Sequence, residues 1–306
     1  MGLKWLLTMS SRGLGGWACA AAVWLASGGA GQAADHLQFI TSDGVRLSYL
    51  EAGREHGRTV VFVPGWTMPA WIFEAQIEAL DDRYHVVAMD PRGQGESEVP
   101  AFGYAAERRG RDVAELIAAA CSEDIGCRVV VVGWSLGVLD ALAMLRAEGD
   151  ARVAGLVLID NSIGEPPATA ARARRRNHPA PVSEAERARR RAAFVAGMFA
   201  HDPGTDYRAR LTADALRMSP EQEEALLAYD VPREAWREAL HSTDRPVLYA
   251  IRPRWRAQGQ ALTAARPNAR VEMFERAGHA LFVDEAERFN RLLFDFLDQA
   301  HWEPRA

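Results

Sequence analysis

For most of its length the chain alternates short apolar runs with segments of helical period. Such alternation has few folded solutions other than a mainly parallel sheet with helices on both faces. Val45–Leu50, Thr59–Val63, His85–Met89, Arg128–Val132 and Val153–Ile159 read as strands. Each is too short and too continuously apolar for a surface helix and suits a strand covered on both sides. Trp71–Leu80, Arg108–Ala120 and Leu136–Glu148 read as the helices between them. From Asn161 to about Thr243 the pattern stops: arginine, alanine and glutamate dominate, and prolines divide the segment into several expected helices. It resumes with strand Val247–Ile251, helix Gln258–Ala265, strand Ala269–Phe274, a Gly278-His279 loop and an amphipathic helix over Asp284–Gln299. The expected organisation is a core of residues 34–160 and 244–306, interrupted by a helical insertion, 161–243.

Composition narrows the function classes. With 48% hydrophobic and 25% charged residues the bulk reads as an ordinary soluble globular chain. The formal net charge of −5 argues against a nucleic-acid partner. Residues 1–33 have the pattern of an export signal: Lys4 and Arg12 give a positive start, Gly13–Gly31 is apolar and small, and Gly31-Gln32-Ala33 offers a cleavage site before Ala34. Its removal takes away those two positive charges, from −5 to −7, and leaves no segment expected to stay in a membrane. Export predicts a periplasmic or extracellular chain, in which Cys121 and Cys127 are either a disulfide closing a small loop or two buried thiols. No His or further Cys stands near them to complete a metal site, and neither a metal nor a cofactor is expected. The sequence does not speak to oligomeric state. The arginine runs Arg172–Arg176 and Arg187–Arg191 read as a solvated helix face.

The strand Arg128–Val132 runs directly into Gly133-Trp134-Ser135-Leu136-Gly137 and then into a helix. A serine hydroxyl is a poor nucleophile unless a base takes its proton and a third group orients that base. A strand, G-x-S-x-G and helix is the context that raises such a serine: glycines admit a tight turn, and the helix N-terminus favours a developing oxyanion. Together with "VFVPGW", "DPRGQGES" and "AGHALFVDEAERFN", in that order, the stretch "VVGWSLG" resembles the α/β-hydrolase superfamily, in its serine-nucleophile, esterase-like branch, from about Leu37 to His301. The resemblance implies the α/β-hydrolase fold with a helical cap inserted after the strand that ends at Asp160.

The same resemblance assigns the base to His279 and the oxyanion-hole N–H groups to Trp66 and Leu136, although Pro64 stands where many relatives have His. The acid departs from the usual pattern. Most relatives carry an Asp after the strand that follows the insertion, whereas "VLYAIRPRWRAQGQAL" holds no carboxylate. Some members place the acid one strand earlier, which here is Asp160; the alternative is that Asp160 only braces the strand exit, with Glu275 the reserve acid beside Glu272. His178, His201, His241 and His301 are expected at the surface, the "DPRGQGES" loop is expected to be structural, and Met68, Trp71 and Trp134 are candidate pocket walls. The implied activity is hydrolysis of a small ester or ester-like substrate through an acyl-enzyme on Ser135. Lactone, amide or carbon–carbon bond cleavage by the same groups, and a catalytically silent fold that only binds ligands, are the other functions compatible with these residues.

Overall fold

The computed structural model describes residues 34–121, 126–166, 183–228 and 231–303. The expected export signal, Arg172–Arg176 and His178 lie outside them. The described residues contain an eight-stranded sheet in the order β1-β2-β4-β3-β5-β6-β7-β8. Its strands are β1 (Asp35–Ile40), β2 (Arg46–Ala52), β3 (Thr59–Val63), β4 (His85–Asp90), β5 (Val129–Trp134), β6 (Val153–Ile159), β7 (Val247–Ile251) and β8 (Ala269–Met273). β1, β2 and β4 pair antiparallel; every pairing from β4 through β3 to β8 is parallel.

Alternating side chains of the central strands feed two hydrophobic layers, as strand geometry demands. Val61, Val63, Val129 and Val131 face α2 (Ala106–Ala120) and α3 (Leu136–Glu148), whereas Val60, Phe62, Val130 and Val132 face α1 (Glu74–Leu80) and α10 (Ala286–Leu297). Strands covered on both sides carry no polar alternation, which is why β3, β5, β6 and β7 are buried at every position. Helix α3 is buried along nearly its whole length and is correspondingly apolar all round. In contrast α10 buries only one stripe, Phe289, Leu292, Leu293, Phe296 and Leu297.

Between β6 and β7 stand four helices among the described residues: α4 (Glu184–Ala196), α5 (Thr205–Asp214), α6 (Pro220–Leu226) and α7 (Arg233–His241). Ser183 caps α4, and a reciprocal Ser219–Gln222 capping box with Pro220 in the first turn starts α6. Helix α8 (Arg256–Ala265) and the short α9 (Leu281–Asp284) complete the set.

The differences from the expected elements have local causes. The edge strand β1 is mostly exposed and so lacks an apolar run to announce it. The segment Trp71–Leu80 opens as a 3₁₀ turn, Ala70–Phe73, before α1, and the last expected helix is broken at Glu285, so that α9 and α10 are separate. No helix among the described residues is long and apolar enough to cross a membrane.

The loop after β4 is the "DPRGQGES" stretch. Arg92 is fully buried there, its Nε and Nη2 donating to both oxygens of Asp112 (2.6 and 2.7 Å) and its Nη1 to Asp43 (3.2 Å). Asp90 is enclosed too, accepting the backbone N–H of Ala70 (2.6 Å) and of Glu96 (2.9 Å) beside a cavity of about 190 Å³. Burial penalises its charge more than those donors favour it, and pushes its carboxyl from 3.8 up to about 6. A folded-state value above the unfolded one contributes stability that is complete below about pH 4 and lost as pH rises through about 6. The stability of the wild type relative to Asp90→Asn should therefore fall by about 3 kcal/mol between about pH 4 and 7. Urea denaturation across that range measures it; a flat difference would show that the carboxyl is not shifted.

Candidate active site

All the candidate groups emerge at the carboxyl ends of parallel strands. Chain order places β4 on one side of β3 and β5 on the other, so the loops after β3 and β5 flank the point where strand order reverses, the usual place for a ligand in an open α/β sheet. Ser135 follows β5 with φ 53° and ψ −115°, a conformation that L-residues with a side chain adopt only when surroundings impose it. Here they do. Its N–H donates to the Ile159 carbonyl (2.9 Å), and its own carbonyl accepts from the Val138 N–H (3.1 Å) and from Asn161 Nδ2 (2.7 Å). The two motif glycines are required by close approach: a Cβ on Gly133 would overlap the Gly137 carbonyl, and one on Gly137 would overlap the carbonyls of Val63 and Pro64.

That contact brings the loop after β3 against the elbow. A Cβ added to Gly65 would lie 3.0 Å from the Ser135 Cβ, so the next residue, Trp66, begins beside Ser135. Leu136 is the first residue of α3, where helix geometry leaves N–H groups without intrahelical acceptors. Among the described residues neither the Trp66 nor the Leu136 N–H donates to a backbone carbonyl. Trp66 and the N-terminus of α3 thus both lie next to Ser135.

His279 lies in the loop between β8 and α9. Its Nε2 is 2.8 Å from Ser135 Oγ and its Nδ1 is 2.7 Å from Asp160 Oδ2. A carboxylate only accepts, so Nδ1 carries the proton and Nε2 is left to accept from the serine. Trp134 Nε1 donates to the His279 carbonyl (2.8 Å) while its ring packs against the imidazole, with centroids 5.2 Å apart. Asp284 in α9 seats the same loop by accepting the Gly278 N–H (2.7 Å) and, from the turn between α4 and α5, the N–H groups of Ala200 (2.9 Å) and His201 (3.0 Å).

Asp160, directly after β6, has no side-chain exposure and a left-handed backbone, φ 49°. Among the described residues its carboxylate's partners besides His279 both come from Arg252, the residue after β7: the backbone N–H reaches Oδ1 (3.1 Å) and Nε reaches Oδ2 (2.7 Å). Glu275 is exposed and pairs with Arg256 (3.3 Å), and Glu272 pairs with Arg288 (2.6 Å); neither is brought to His279. Sequence reasoning missed Arg252 and Asn161. Asn161 also accepts at its carbonyl from Tyr249 Oη (2.6 Å), whose phenol is raised well above 10.0, first by burial and then by the charges of Asp160 and Glu165.

Several expectations about the surroundings need correction. Met68 and Trp134 are 1% exposed and pack in the interior, so these two side chains are braces rather than open pocket walls, whereas Trp71 lines the cavity beside Asp90 and donates to Asp214 (2.7 Å) under the Arg210 guanidinium. His241 is not a free surface residue, because it and Arg237 hold the buried Glu165. Nor is Arg187–Arg191 wholly a solvated face: Arg187 and Arg191 pair with Glu223 in α6. Arg191 is buried, stacks on the Trp66 ring (4.4 Å) and donates to Thr67 Oγ1 (3.1 Å). Desolvation lowers its pKa and the Glu223 carboxylate opposes that shift. Trp66 Nε1 in turn donates to the Glu223 carbonyl (2.9 Å). Cys121 and Cys127 form a disulfide between the end of α2 and the start of β5.

Residues 60–292 match the Alpha/beta hydrolase family, and the chain belongs to it. A protein described as a putative carbamate hydrolase, RutD, of Variovorax paradoxus is 31% identical over 281 residues, covering 82% of this chain and 96% of that one. Among solved structures, one described as a putative aryl esterase from Burkholderia cenocepacia superposes with a TM-score of 0.72 at 26% identity, covering 87% of this chain and 98% of that one. The esterase RhEst1 from Rhodococcus gives 0.70 at 23% identity, over 86% and 98%, a likeness of fold alone. The chain is accordingly a hydrolase on the α/β-hydrolase fold.

Gly137→Ala should test the close approach on which the elbow rests. Pressing a methyl into the Val63 carbonyl is expected to destabilise by about 1–3 kcal/mol, seen as a lower denaturation midpoint. An unchanged midpoint would mean that α3 does not approach β3 as described.

Proposed function

We propose that this hydrolase cleaves an ester or ester-like bond through an acyl-enzyme on Ser135, with His279 as general acid and base and Asp160 as the acid that orients it. The observation that carries the reading is the continuous line Ser135 Oγ, His279 Nε2, His279 Nδ1, Asp160 Oδ2, at 2.8 and 2.7 Å. In this reading His279 Nε2 takes the Oγ proton as Oγ bonds to the substrate carbonyl carbon, and Asp160 stabilises the imidazolium. The carbonyl oxygen becomes an oxyanion facing the N–H groups of Trp66 and Leu136, each worth roughly 3 kcal/mol to the transition state. The imidazolium then protonates the leaving oxygen or nitrogen, the C–O or C–N bond breaks, and water repeats the sequence to release the acid and the free serine.

For the substrate, the reading rests on what borders the oxyanion loop. The Trp66 ring meets Phe194 edge-on at 5.2 Å, and Phe194 is 38% exposed, an apolar surface suited to an apolar acyl or alcohol group. The carbamate hydrolase and aryl esterase relatives support a carbonyl flanked by a heteroatom leaving group. We read the chain as exported, on the pattern of residues 1–33 and on a disulfide of the kind that persists in oxidising compartments.

A fluorophosphonate probe should label the wild type and not Ser135→Ala. Asp160→Asn should lower turnover on aryl esters by a factor on the order of 10⁴, with Glu275→Gln near the wild type. An unlabelled wild type would overturn the nucleophile, and a crippled Glu275→Gln beside an active Asp160→Asn would overturn the acid. N-terminal sequencing of protein from the periplasm or medium is expected to begin at Ala34; an intact Met1 there would overturn cleavage.

A further inference from the structure

We propose that Arg252 is a positioning residue that aims the Asp160 carboxylate at His279, a role that rests on the triad reading above. Its place in the chain is the first observation. Arg252 follows β7, the strand after which most relatives were expected to carry the acid, so a cation occupies the position vacated by the carboxylate. The two charges thus stand at adjacent strand ends: β6 leads into the carboxylate and β7 into the guanidinium. The register Ile159↔Ala250 and the bond from Asp160 N–H to the Ala250 carbonyl (2.9 Å) set the two side by side.

The geometry gives this adjacency a purpose. A carboxylate with no exposure must have its lone pairs occupied by donors, because unpaired buried charge is prohibitively unfavourable. Arg252 supplies one donor to each oxygen, the backbone N–H to Oδ1 at 3.1 Å and Nε to Oδ2 at 2.7 Å. Pinning both oxygens fixes the plane of the carboxylate, and the direction left on Oδ2 is the one along which His279 Nδ1 lies at 2.7 Å. Pro253 follows and holds Arg252 extended (φ −88°, ψ 165°), so that its N–H projects toward Asp160 instead of entering the next 3₁₀ turn. Arg252 Nη2 stands 3.4 Å from His279 Nδ1. Both atoms carry protons when Nδ1 donates to Asp160, so this contact is no second hydrogen bond; it sets the guanidinium beside the ring edge that faces the carboxylate. Lysine cannot reproduce the pair, since its compact ammonium has no planar Nε donor.

The experiment follows fluorophosphonate labelling rate, and kcat and KM on an aryl ester, in Arg252→Gln, Arg252→Lys, Arg252→Ala, Asp160→Asn and the Asp160→Asn/Arg252→Gln double variant. Circular dichroism melts check that each is folded. Arg252→Gln should lower kcat and labelling by about 10- to 100-fold, the range for loss of a partner that orients a functional group, with KM within about twofold. Arg252→Lys should recover part of the rate, and added guanidinium should raise the rate of Arg252→Ala. The double variant should be no slower than Asp160→Asn alone, because Arg252 acts only through that carboxylate. A folded Arg252→Gln, or Arg252→Lys should the former not fold, that keeps the wild-type kcat overturns the role, as does a double variant that loses the full product of the two factors. An unlabelled wild type overturns the triad reading and this role with it; a labelled wild type with an indifferent Arg252 overturns the role alone.

Discussion

The Asp160 carboxylate has no exposed surface, and much of the site is arranged around that fact. Its three donors come from two other segments: two from Arg252 after β7 and one from His279 after β8. A buried ion is stable only when such donors are held at good distance and angle, so three neighbouring strand ends must keep their relative heights. The sheet does this with parallel register, Ile159 opposite Ala250 and Ile251 opposite Met273. Asp160 also holds a left-handed backbone, as do Ser135 and Thr67, the only non-glycine residues among those described to do so. Strain of this kind persists where the surroundings over-determine a residue, and all three lie at the candidate site.

Much of this was legible in the sequence, for identifiable reasons. Helix α3 and strand β6 begin and end where the pattern of residues puts them, because one is sealed by the G-x-S-x-G turn and the other by the polar Asp160-Asn161-Ser162 exit. The approach of His279 to Ser135 followed from motif order, since the loop after the last strand returns to the same sheet edge. Arg252 was illegible for a different reason. The segment after β7 was read for a carboxylate, and an arginine there has no local signal to distinguish it from the many other arginines of this chain. The pairing of Arg187 and Arg191 with Glu223 was equally hidden, because charge runs report a helix face and not what a distant helix lays against it.

Those two arginines change the meaning of the segment between β6 and β7. Arg191 donates to the hydroxyl of Thr67 and covers the ring of Trp66, while α6 receives the Trp66 indole N–H at the Glu223 carbonyl. On the other side, the turn after α4 is bonded to the loop of His279: Ala280 N–H donates to the Met198 carbonyl (3.0 Å), and Asp284 gathers N–H groups from both segments. A Cβ on Gly278 would overlap the Met198 carbonyl, so the two backbones are in direct contact.

The helices of this segment are therefore structural partners of the two loops that flank Ser135. Thr67 illustrates the consequence. At φ 61° a β-branched residue is in a conformation that costs about 1–3 kcal/mol unless its neighbours impose it, and the neighbour that grips its side chain is Arg191. If α4 moved away, Arg191 and Glu223 would regain water and lose little, because exposed charges are well solvated. Thr67 would lose its hydroxyl partner and the Trp66 ring its cover, and the loop that begins beside Ser135 would be free to relax. The shape of that loop thus depends on the seating of α4 and α6, and a substrate that displaced them would enter a site in which the proposed oxyanion donor, the Trp66 N–H, was no longer fixed.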